Sequence, residues 1–124
     1  MSPRRLSFTH RTDSSSVRRA VLTFLSGCQD ADQVQDSLLV ITELVQNVVR
    51  HTDNGGDVVL SRRPGAVLIE VSDASSEMPR ALGSDSRRSG GRGLLLVRAM
   101  SLAWGMKRIV GGKVVWAKMA ATPA

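Results

Sequence analysis

Asp36-Ser37-Leu38-Leu39-Val40-Ile41-Thr42-Glu43-Leu44-Val45-Gln46-Asn47-Val48-Val49-Arg50-His51 is the stretch on which the fold turns. Its apolar residues Leu38, Ile41, Val45, Val48 and Val49 return at three- and four-residue steps, the spacing of an amphipathic helix. Glu43 and Asn47 stand four apart, one above the other on the same helix face. Arg50 and His51 carry that face on by a further turn. The chain's only glutamates are Glu43, Glu70 and Glu77, so a carboxylate in its most apolar helix needs a reason. Two readings are open. The pair can be a half-exposed polar stripe, or it can be a carboxylate that takes a proton beside a carboxamide oxygen that helps hold hydrated Mg²⁺.

Around this helix, 124 residues suffice for one domain with a real core, and a single domain over 1–124 is expected. With 42% hydrophobic and 23% charged residues, the composition is that of a soluble globular protein. No apolar run approaches the ~18 residues of a membrane span. Met1-Ser2-Pro3-Arg4-Arg5 is followed by no apolar stretch that would make a secretory signal. Cys28 is the only cysteine, which excludes an internal disulfide and a cysteine-based metal cluster. A cytoplasmic location is expected. The net charge of +6 comes from arginine pairs scattered along the chain rather than one block. Aromatics are 3% with no tyrosine, so there is no platform for stacking bases, and the composition argues against nucleic-acid binding.

Taken in order, residues 4–11 alternate loosely as a first strand, with Leu6 and Phe8 on one side. Asp13 and the serines after it offer N-caps for a helix through Val17, Ala20, Val21, Phe24 and Leu25, which Gly27 ends. Asp30 or Asp32 caps the organising helix, and Gln33 completes a capping box if Asp30 is the cap. Residues 52–56 form a turn cluster. Strands at 57–62 and 66–72 are joined by Arg63-Pro64-Gly65 as a tight hairpin. Residues 74–92 lose all periodicity, and a loop of that length in so small a domain is expected to be functional or mobile. A helix is expected over 93–102. Strands at 104–110 and 113–119 follow, joined by Gly111-Gly112, and 120–124 read as a frayed end. Paired strands predict an α+β, two-layer α/β sandwich: a mainly antiparallel mixed sheet of about five strands, covered on one face by three helices.

Two further places carry chemistry. Asp73 leaves the central strand, as a turn residue or as a buried acceptor for an exocyclic amine such as that of adenine. Ser89-Gly90-Gly91-Arg92-Gly93-Leu94 is a glycine-rich turn opening into a helix, where close backbone approach and helix-terminal amides favour phosphate. It lacks the Lys-Ser/Thr ending of a Walker loop.

The three elements together, Glu43-x-x-x-Asn47, Asp73 after a strand, and Gly91-x-Gly93 opening a helix, resemble the N, G1 and G2 boxes of the GHKL ATPase superfamily. More narrowly, residues 43–52, Gly91-Arg92-Gly93-Leu94 and Gly111-Gly112-Lys113-Val114-Val115-Trp116 look like the bacterial anti-sigma-factor serine/threonine kinases. The resemblance covers nearly the whole chain in the right order. It implies the histidine kinase-like ATPase fold, with ATP and Mg²⁺ as ligands and Glu43 as general base. It further implies Asn47 as Mg²⁺ ligand, Arg50 near the phosphates and Asp73 as reader of adenine. Gly91, Arg92, Gly93 and Leu94 would close over the phosphates, with about 74–92 as an ATP lid to which Arg87 and Arg88 add charge. The implied activity is phosphorylation of a serine on a STAS-type anti-sigma-factor antagonist by a homodimer that otherwise holds a sigma factor. A catalytically silent ATP-binding regulator of the same fold is the alternative. The chain departs from the family in two places, with Asp73-Ala74-Ser75-Ser76 where glycines usually follow the aspartate, and Val48 where alanine is common.

Overall fold

The computed structural model describes residues 3–9, 11–51, 55–73 and 89–122, and within them all side chains except those of Ser14, His51 and residues 89–93. The chain runs β1 (Arg4–Phe8), α1 (Ser14–Leu25), α2 (Ala31–His51), β2 (Gly56–Arg63), β3 (Ala66–Asp73), α3 (Ser89–Met100), β4 (Ala103–Ile109) and β5 (Gly112–Ala120). The five strands form one sheet in the order β1-β2-β3-β5-β4. Each of its four pairings is antiparallel. The expected α+β sandwich is therefore present, with a wholly antiparallel sheet in place of a mixed one.

Local chemistry sets the helix starts. Asp13 caps α1, its carboxylate accepting from the Ser15 amide at 3.0 Å and the Ser15 hydroxyl at 2.9 Å. Ahead of α2, the Gln33 amide donates to Asp30 at 2.8 Å while the Gln33 side chain accepts from the Asp30 amide at 2.9 Å. This is the reciprocal capping box the spacing predicts.

α2 buries Ser37, Val40, Ile41, Leu44 and Val48, an i, i+3, i+4 stripe that lies against β3 and β5. Each fully buried leucine or valine there contributes about 1.5–3 kcal/mol relative to its exposed state. The opposing sheet face is written in period two: Val58 and Leu60 on β2, Val67, Ile69 and Val71 on β3, Val115, Ala117 and Met119 on β5. Strand registers place these residues side by side, Val58 against Val71 and Val71 against Val115. α1 adds Val21 and Leu25, and α3 adds Leu94 and Val97.

Four boundaries differ from the sequence reading. β1 stops at Phe8 rather than continuing to 11, because Thr9 and Thr12 bond to each other's backbone in a local turn. α3 begins at Ser89, so Gly91 and Gly93 lie in its first turns instead of in a preceding loop. The β4–β5 turn is Val110-Gly111, with Gly111 at φ 81°, and Gly112 already pairs with Ile109. That choice keeps Val115, Ala117 and Met119 on the core side; a one-residue slip would turn them outward. Finally, the end expected to fray is tied down through Thr122. The Ala121 amide bonds Gly65 O at 3.0 Å. Gln29 donates to Ala120 O at 2.8 Å, and Thr122 donates to Gln33 at 2.9 Å. Among the described residues no helix is long and apolar enough to cross a membrane.

Candidate functional site

The C-terminal turns of α2 and the C-terminal end of β3 lie at the same end of the domain. Residues 52–55 join His51 to Gly56, and Gly56 stands opposite Asp73 in the β2–β3 ladder. Connectivity thus brings the helix bearing Glu43, Asn47 and Arg50 to the strand end bearing Asp73.

Glu43 is half-buried on α2, one turn before Asn47. Asn47 is more telling. Its carboxamide oxygen is buried and has no hydrogen-bond partner among the described residues. Leaving a buried acceptor unmade costs about 1–3 kcal/mol, which a ligand at that oxygen would recover. A neutral oxygen donor beside a carboxylate suits a hard divalent cation. Mg²⁺ in particular takes few protein ligands and completes its octahedron with phosphate oxygens and water. Among the described residues no group of three or more His, Cys, Asp or Glu is placed to hold a metal. Arg50 is exposed and donates to Gln46 at 3.1 Å, an i, i+4 bond along the helix surface. Val48 is buried in the core, which is where a branched apolar residue belongs.

Asp73 closes β3 in phase with Val67, Ile69 and Val71, so its side chain turns to the helix-covered face. Opposite it on β5 stands Lys113, in phase with Val115, Ala117 and Met119. The Lys113 ammonium donates to Oδ1 at 3.1 Å and lies 2.8 Å from Oδ2 in an ion pair. Both side chains are nearly inaccessible, at 3% for Asp73 and 6% for Lys113. Lys113 was legible only as part of a motif; its role shows in the strand's phase, since a lysine on the core side of an alternating strand demands a buried partner.

At the third element, α3 places Gly91, Arg92 and Gly93 within its first turns, with Gly91 among the residues whose backbone N–H groups have no partner inside the helix. Leu94 is buried at 2% and anchors that end against the core. The lid expected over 74–92 lies outside the described residues as far as Arg88, as do Arg87, Arg88 and Ala74-Ser75-Ser76. The Arg92 side chain lies outside them too.

A carboxylate and an orphaned carboxamide oxygen on one helix, a buried aspartate at a strand end and a glycine-rich helix start make a set able to hold a nucleotide and its metal. No protein of curated function matches the chain. The sequence model of the histidine kinase-like ATPase domain matches residues 9–119, nearly the whole chain, and the protein therefore belongs to that family of ATP-binding domains within the GHKL superfamily.

Proposed function

We propose that the protein binds Mg·ATP and transfers its γ-phosphoryl group to a serine hydroxyl of an anti-sigma-factor antagonist, and so governs the release of a sigma factor. The observation that carries the reading is the unsatisfied, buried Asn47 oxygen one turn from the half-buried Glu43. Glu43 receives the hydroxyl proton as the serine oxygen bonds phosphorus and the bond to ADP breaks. Products are phosphoserine, ADP and the proton on Glu43. Asn47 would hold Mg²⁺, which when bound neutralises phosphate charge. Asp73 accepts from the adenine amine. The free N–H groups at the start of α3 face the phosphates, where the helix dipole favours negative charge. Phosphoryl transfer asks little of the protein beyond positioning and charge neutralisation, which suits so sparse a set.

Phosphoserine on the antagonist would break its contact with this protein through charge and desolvation, leaving the sigma factor held. The acting form in this reading is a homodimer.

The test is calorimetry with Mg·ATP and Mg·ADP on wild type, Asn47→Ala and Glu43→Ala, followed by a search for phosphoserine on candidate antagonists. Wild type binds, Asn47→Ala loses most affinity and Glu43→Ala still binds. Absence of binding by wild type would sink the kinase reading. Binding without any phosphoserine would favour a catalytically silent ATP-binding regulator.

A further inference from the structure

We propose that the edge strand β4 is a docking site for an acidic protein segment, which adds to the sheet as a sixth strand with apolar and acidic side chains in alternation. The inference goes beyond the nucleotide site and does not depend on it.

Charge is unevenly placed along the chain. Basic residues are scattered, but the acidic ones stop at Asp85. Residues 86–124 hold eight of the 17 Lys and Arg and none of the 11 Asp and Glu, so the whole excess of positive charge lies in α3, β4, β5 and the residues beside them. Exposed apolar side chains gather in the same stretch. Leu95, Leu102, Ile109 and Val110 are four of the five large ones among the described residues. Basic and aliphatic groups together suit a protein partner, since phosphate would leave the aliphatic groups in water.

β4 ends the sheet order, with β5 on one side and no strand on the other among the described residues. It runs seven residues without a proline, and its register against β5 is unbroken from Ala103 to Ile109. Such an edge presents unpaired N–H and C=O groups that an extended chain can take up. Its two faces differ. Trp104 and Met106 stand opposite Ala117 and Val115 on the helix-covered side, packed against the core but only partly buried. Lys107 lies on the other face, exposed and with no carboxylate partner among the described residues. Apolar residues of an added strand would extend the core past Trp104 and Met106, while its acidic residues would stand beside Lys107.

The opposite edge, β1, is shorter, and its Arg5 already pairs with Asp57 at 3.3 Å. Lysine on an edge also discourages self-pairing, because a second β4 would bring basic residues toward basic residues. The same charge favours a strand of opposite sign, so one feature turns away a copy of this chain and selects an acidic partner.

The test uses the isotope-labelled whole chain and two capped peptides of β4's length, seven residues. One alternates valine with glutamate, the other valine with lysine. In NMR titrations the glutamate peptide should move the amide signals of Ala103–Ile109. It should bind about fivefold or more tightly than the lysine peptide, the scale of a cross-strand charge pair. Lys107→Glu, a change at an exposed position, should reverse that preference. A glutamate peptide methylated on its backbone nitrogens cannot donate to the edge and should leave the β4 signals in place. Equal binding of the two peptides, signals that move away from β4 instead of on it, or no change up to millimolar peptide overturns the assignment. So does a Lys107→Glu protein that keeps the wild-type preference. If the β4 signals respond to duplex DNA and not to the glutamate peptide, the edge takes phosphate and the assignment falls. If they move with the concentration of the chain alone, a second copy occupies β4 and it falls likewise.

Discussion

Gly56 and Asp73 face each other across the β2–β3 ladder, at a point where no side chain fits on the glycine. A Cβ there would overlap the Ser72 carbonyl oxygen and touch the Phe8 ring at 3.4 Å. Any relief must come from moving backbone, and the backbone in question carries Asp73. Gly56→Ala is therefore expected to lower stability by about 1–3 kcal/mol, as overpacking does, and to weaken ATP binding as well. Gly65→Ala is the control. It meets nothing within 4 Å but sits at φ 66° in the β2–β3 turn. Its cost should be about 1–2 kcal/mol of stability with nucleotide affinity unchanged. Urea melts and calorimetry on both variants would separate the two effects, and equal affinity in both would contradict the account of Gly56.

The Asp73–Lys113 pair makes a second, sharper stability prediction. With both partners almost fully buried, Asp73→Ala strands the Lys113 ammonium in the interior and should cost about 3–5 kcal/mol. Lys113→Ala should destabilise too, by taking that ammonium from the Asp73 carboxylate. The double change Asp73→Leu/Lys113→Met should recover most of that loss, since no unpaired charge remains. Because the pair is shielded, added salt should barely alter the cost of the single changes. A double variant no better than the singles would show that packing at these positions, and not charge, holds the strand end.

Much of this was written in local sequence. The Asp30–Gln33 capping box stands as read, and the hairpin nearly so, with its turn cut to Pro64-Gly65 because Arg63 still pairs with Ala66. The α2 periodicity was legible too, but the face is turned: Val40, Ile41, Leu44 and Val48 are buried, while Leu38, Val45 and Val49, expected on the apolar face with Ile41 and Val48, are only partly so. What depended on distant pairing was hidden. Asp73 and Lys113 meet only because the chain crosses from β3 through α3 and edge strand β4 before returning beside β3 as β5. No spacing rule fixes that register. The orphaned Asn47 oxygen was equally out of reach, since it reflects burial by neighbours that the helix pattern does not name. Glycines misled at two boundaries. Gly90, Gly91 and Gly93 are poor helix formers, yet α3 starts before them. Two adjacent glycines read as a turn, whereas only Gly111 of that pair takes positive φ.

Strong acid should loosen the start of α1. The bonds from the Ser15 hydroxyl and then the Ser15 amide hold the Asp13 carboxyl below its ordinary value, outweighing the small opposing effect of desolvation. A carboxyl whose folded value is lowered stabilises the fold above its unfolded value, and that contribution fades as pH falls through the folded one. Protection of the Ser15 and Ser16 amides from exchange, relative to an unstructured peptide at the same pH, should therefore fall in strong acid, below the ordinary aspartate value of 3.8. Asp13→Asn keeps a capping oxygen but cannot titrate, so protection at these amides, relative to an unstructured peptide at the same pH, should be flat over the same range. Persistence of the acid effect in that variant would place its origin elsewhere.

The decisive chemical prediction concerns Glu43→Gln. The change keeps shape and hydrogen-bonding capacity on α2 but removes the ability to accept a proton. If Glu43 is the general base, affinity for Mg·ATP should be unchanged while phosphoryl transfer to the antagonist serine falls about 10²–10⁴-fold, the range for loss of a positioned base. Asn47→Ala should show the opposite pattern, with affinity falling first, because its buried oxygen lacks a partner among the described residues. The two variants lie one turn apart on the same helix, so a shared structural defect would lower both properties in both proteins. Only a split between binding and turnover assigns the residues different roles. A Glu43→Gln protein that transfers phosphate at the wild-type rate would return Glu43 to the polar stripe of an amphipathic helix.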